Sequence, residues 1–115
     1  IPDPSVDRTL VTLVTMDKDT LVVRDALKAL DYRSLSSSDY ETIAKSAAKF
    51  SDAENQRIGA RVLLQAYRED PSVVDGSLNE LREAVRDPDV KTYIEDEMAK
   101  IRADQAEAIQ PQAQP

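Results

Sequence analysis

A chain of 115 residues, 41% hydrophobic and 32% charged, is large enough for one domain around one core. Two glycines and few aromatic residues, set among many Ala, Leu, Asp, Glu, Lys and Arg, fit a soluble helical protein better than a sheet. A net charge of −7 disfavours nucleic acid as a partner, and the lack of Cys and His removes thiol nucleophiles, imidazole bases and thiolate or imidazole metal sites, so no cofactor is expected.

Ile1–Pro4 carries two prolines and reads as an extended entry. Ser5 then caps a first helix with Asp7 in its first turn, where a carboxylate suits the helix dipole. Thr9–Met16 is rich in β-branched residues, which favour strand, but its threonines recur at 9, 12 and 15 with apolar pairs between them. That period predicts a helix. Asp17 or Asp19 caps a second helix in which Leu21, Val22, Val23, Ala26, Leu27, Ala29 and Leu30 are apolar while Arg24, Asp25, Lys28 and Asp31 face water. After a polar connection over 32–38, Ser38 and Glu41 make a capping-box pattern that opens a third helix.

Asp52–Asp70 is a long run of helix formers, and its apolar residues cover too wide an arc for a single buried stripe, so it is expected to pack on two sides. Its polar stripe, Arg57, Arg61, Gln65 and Arg68, is basic in an acidic chain. Asp70-Pro71 ends this helix, because the residue before proline avoids the helical region. Val73–Gly76 reads as a loose stretch, and the S-x-x-E of Ser77 and Glu80 as the start of a fifth helix ending near Val85. Asp87 caps a sixth helix with Pro88 at its first position, and this helix is expected to fray after Ala103. Gln110–Pro115 is a low-complexity, disorder-prone tail.

Asp17, Asp52 and Asp87 recur at intervals of 35 residues, each followed two positions later by an acid and then by a longer amphipathic helix. A period of this length signals stacked helical hairpins. At Asp87-Pro88-Asp89-Val90-Lys91 and at Asp17–Leu30 (DKDTLVVRDALKAL) the chain resembles the HEAT and HEAT-like repeat family. The middle copy departs from the pattern with Gly59 where a basic residue usually stands, and the third with Glu95, Asp96 and Glu97 where small or apolar residues are usual. The resemblance implies an all-α fold of three antiparallel hairpins, over about 5–32, 38–70 and 73–103, in a right-handed solenoid; an irregular six-helix bundle is the alternative. Residues 1–4 would form the entry and 104–115 the fraying end and tail.

The resemblance also makes Asp17, Asp52 and Asp87 structural corner caps that bond to neighbouring basic side chains. A calcium loop at Asp17-x-Asp19 or Asp87-x-Asp89 lacks the central glycine and closing glutamate that such a loop needs. Met16–Leu21 is similar to the nucleophile loop of haloacid-dehalogenase-like phosphatases, but Leu21 stands where that loop has threonine or valine, and the chain is too short for the companion units. No catalytic, cofactor-binding or metal-binding residue is therefore assigned.

The candidate partner-binding residues are Arg24, Lys28, Arg57, Arg61 and Lys91, which a solenoid would line up on its second helices as one ridge for an acidic peptide or carboxylate. The competing expectation is intramolecular pairing, worth tenths of a kcal/mol per exposed pair. Charge reversal at Arg57 and Arg61 is expected to leave the fold intact. Tyr32, Tyr40, Tyr67 and Tyr93 are packing anchors, of which one or two suit an interface.

The expected function is non-catalytic protein binding, as an adaptor or accessory subunit of a larger assembly. Self-association through an end of the stack is included, because the Leu10–Val14 face is apolar for a terminal helix. The alternative is a small HEAT-like enzyme of the bilin-lyase or another small-molecule-modifying kind, working with carboxylates and tyrosines. No apolar run reaches the length of a membrane span, and the start at Ile1 with no cysteine suits either a cytoplasmic protein or one exported after leader cleavage.

Overall fold

The threonine-rich segment is helical, and each threonine satisfies its hydroxyl within the helix. In α1 (Pro4–Met16), Thr9, Thr12 and Thr15 donate to the carbonyls of Ser5, Arg8 and Val11 at 2.8, 2.8 and 2.9 Å. The period of three puts these hydroxyls on the exposed stripe and leaves Val11 and Val14 to the core.

The computed structural model describes residues 4–109, which form six helices and no strand. After α1 come α2 (Thr20–Leu30), α3 (Ser37–Ala48), α4 (Ala53–Glu69), α5 (Pro71–Ala84) and α6 (Pro88–Ile109). Adjacent helices pair as α1 with α2, α3 with α4 and α5 with α6. First helices also touch in the order α1, α3, α5, and second helices in the order α2, α4, α6. These contacts fit three hairpins stacked in two layers.

α4 touches α2, α3, α5 and α6, which accounts for its wide buried arc, Ile58, Ala60, Val62, Leu63, Leu64 and Tyr67 among it. Gly59 belongs to the same packing. A Cβ there would lie 3.0 Å from the Ala47 Cβ on α3, an atom that cannot yield without moving its helix. The glycine that breaks the repeat pattern thus lets α3 and α4 approach closely.

Several boundaries differ from those read in the sequence. Ser36, not Ser38, caps α3, accepting from the Asp39 N–H. The buried Tyr40 fixes this start: its hydroxyl accepts from the Leu35 N–H and donates to the Arg33 carbonyl, each at 3.1 Å.

α5 begins at Pro71 and runs through the segment expected to be loose, Gly76 and Ser77 included. Asp70 caps it and Pro71 opens its first turn, while Val74, Leu78 and Leu81 enter the core. That burial outweighs the roughly 1 kcal/mol by which glycine disfavours a helix interior.

α6 continues to Ile109 rather than fraying after Ala103. Its end is tied to α4, where Arg102 and Gln105 donate to the Tyr67 hydroxyl and carbonyl at 2.9 and 3.3 Å. The extended entry, apart from Pro4, and the disorder-prone tail lie outside the described residues.

Candidate functional site

The corner aspartates serve local structure. Asp52 accepts from the Asn55 N–H and caps α4, and Asp87 accepts from the Asp89 and Val90 N–H groups at the start of α6. Asp17 departs from the series. It accepts from the Asp19 N–H, and Asp19 is the residue that caps α2. The even 35-residue spacing therefore belongs to the aspartates and not to the helix starts.

Asp52 also accepts from Arg24 Nη2 at 3.0 Å, while Arg24 Nε donates to Asn55 and the Asn55 amide donates to the Thr20 carbonyl. This cluster ties the first two hairpins together around a buried asparagine. The Asn55 N–H first, and Arg24 after it, hold the Asp52 carboxyl below its ordinary pKa.

The five cations of the predicted ridge are consequently not equivalent. Arg24 is drawn into the seam between α2 and α4. Among the described residues, Lys28 and Lys91 make no ion pair, and neither lines the cavity formed by the arginines. Only Arg57 and Arg61 come together, and Arg68 joins them from the same stripe of α4. Spacings of four and seven residues keep all three on one face over about 16 Å of helix.

The three arginines line a groove of about 290 Å³ with Tyr32, Tyr93 and Glu97. Arg57 grips Glu54 with Nε and Nη2, at 3.2 and 2.8 Å, and its guanidinium lies 5.8 Å from the Tyr93 ring centre. Arg61 Nε meets Asp31 Oδ2 at 2.9 Å. The Asp31 side chain is only 9% exposed and that of Arg61 46%, so the positive group faces the groove and its counter-charge sits behind it. Arg68 has a loose partner, Asp104, at 3.7 Å.

The Tyr32 hydroxyl, and then Asp31, raise the pKa of Arg61. Burial, followed by Glu97, raises that of the Tyr93 phenol, while Arg57 and Arg61 oppose the rise.

Tyr32 is the residue that sequence reasoning could not single out among four tyrosines. It follows the C-cap Asp31 and has φ of 67°, the sole positive φ on a non-glycine among the described residues. Helices commonly end this way, but with glycine, because a Cβ is strained there. The contacts on either side hold the conformation. Asp31 N–H donates to Leu27 and Lys28, Arg33 N–H donates to Leu30, and the Arg33 guanidinium pairs with Asp7 on α1.

The outcome is an aromatic ring 74% exposed at the groove's rim. Tyr32→Gly is expected to stabilise the protein by about 1 kcal/mol through relief of this strain, seen as a higher melting temperature. A lower melting temperature would mean that the ring's own contacts outweigh the strain.

A second cavity, of about 310 Å³, adjoins on the other side of Tyr32 and Gln65, with Leu35, Ala66 and Val73 as its apolar part and Glu69 and Asp70 also lining it. Among the described residues no helix is long and apolar enough to cross a membrane, and no three carboxylates are placed to hold a metal ion. No protein-family model, no curated protein and no solved structure matches the chain.

Proposed function

We propose that this chain is a short HEAT-like repeat module whose role is to bind another protein, as an adaptor or accessory subunit. The observation that carries the reading is the distribution of exposed large apolar side chains. Among the described residues, those exposed are Val6, Met16, Leu21, Val22 and Tyr32, all within the first hairpin and the residues that close it, whereas α5 and α6 turn mainly charged and polar side chains outward. An apolar end on a stack of hairpins is a surface for a further layer, supplied by a partner or by a second copy.

The catalytic alternative would need an ionisable group held ready in a cleft. Tyr40, whose hydroxyl burial pushes up in pKa, is engaged by backbone groups as both donor and acceptor, which favours a structural role.

The test is a double variant, Met16→Glu with Leu21→Glu, at side chains 70% and 63% exposed. The fold is expected to survive. Both self-association by sedimentation and capture of a partner from the native source are expected to fall. A variant that sediments and captures like the unmodified protein would remove the basis for this reading.

A further inference from the structure

We infer that the two cavities flanking Tyr32 form one channel for a short acidic–apolar peptide segment of a partner protein. The inference rests on the binding-module reading above and names the chemistry of what is bound at this face. The cavities share Tyr32 and Gln65, so a ligand can lie across the ring from one into the other.

Their two ends differ in chemistry. One presents the guanidiniums of Arg57, Arg61 and Arg68, of which Arg61 and Arg68 are 46% and 50% exposed. Arginine retains donors for a carboxylate even after one N–H has been used within the protein. The other end has an apolar floor, the carboxylates of Glu69 and Asp70, and Arg33, whose charge is already answered by Asp7 on α1. A segment acidic along its whole length would be repelled there, so the complementary ligand is acidic first and apolar next.

The dimensions agree. Arg57 to Glu69 spans about 18 Å of helix, which an extended peptide covers in about five or six residues. Tyr32 stands where the two cavities meet, exposed on a backbone that glycine would adopt without strain. Tyrosine so presented is the kind of side chain that carries binding energy at interfaces.

The experiment is selection from a phage-displayed random heptapeptide library on the full chain, followed by fluorescence anisotropy with the enriched peptide. Enriched sequences are expected to place Asp or Glu ahead of Leu or Phe. Binding should weaken about tenfold in Arg68→Glu and in Tyr32→Gly, the loss of one good contact, and should fall as salt rises to about 0.5 M. Tyr32→Gly is expected to melt at or above the unmodified temperature, and Arg68→Glu, which gives up only the loose exposed pair with Asp104, slightly below it with cooperative unfolding retained, which separates lost binding from lost fold.

Failure to enrich any peptide, a consensus without acidic residues, or binding indifferent to both variants overturns the inference. If partner capture then still depends on Met16 and Leu21, the binding-module reading stands and the channel alone falls.

Discussion

Ile58→Asp is expected to unfold the protein. Ile58 is 5% exposed, on the helix that touches four of the other five. The substitution removes about 2–3 kcal/mol of side-chain burial and places a carboxylate in the hydrophobic core, at a further cost of several kcal/mol. A domain of this size has about 5–15 kcal/mol in total, so the sum reaches the whole stability. Ile58→Val, which keeps the site apolar, should cost about 1 kcal/mol. Far-UV circular dichroism with a denaturant titration distinguishes them, and a cooperatively folded aspartate variant with a near-native midpoint would show that this position is not the interior its burial implies.

Arg61→Glu is expected to destabilise by about 2–3 kcal/mol, while Arg57→Glu costs about 1 kcal/mol or less. The sequence alone predicts that both reversals leave the fold intact, because the two arginines share one stripe. The structure separates them. Arg57 and its partner Glu54 are 44% and 47% exposed, so water replaces what the pair loses. Arg61 faces Asp31, which is 9% exposed and already has Oδ1 buried without a partner among the described residues.

Reversal at Arg61 sets two carboxylates together with one of them unable to reach water. Arg61 itself is half exposed, which keeps the expected loss below that of breaking a fully buried pair. Asp31→Asn in the Arg61→Glu background should recover most of the loss. Equal urea midpoints for the two single variants would contradict the account.

These differences show where local reading fails. Asp52, Asp87 and the Asp70-Pro71 break were legible because capping and proline geometry act over three or four residues. Ser36 was not, since three serines follow one another and the choice among them is made by the hydroxyl of Tyr40. Gly76 and Ser77 have weak helix propensity, and α5 runs through them because its other side chains are buried against neighbours. The far end of α6 is held by Arg102 and Gln105, whose partners on Tyr67 lie 35 and 38 residues away.

The candidate site divides in the same manner. Arg57, Arg61 and Arg68 could be seen on one face of a helix from spacing alone. Tyr93 and Glu97 join them only because α6 lies beside α4, and Tyr32 because the turn after α2 takes a backbone conformation that nothing in its own side chain favours. Arg24 was expected in the ridge and is withdrawn from it by Asp52 and Asn55 of the next hairpin.

The sequence by itself determined six amphipathic helices, most of their breaks and the basic face of α4, since these depend on periodicity, capping and charge within a few residues. Only the tertiary structure decided which cations remain available, which tyrosine stands in the open and where two grooves meet. Those properties depend on burial and on partners distant in the chain, and a counter-charge 30 residues away is invisible until α2 and α4 lie side by side.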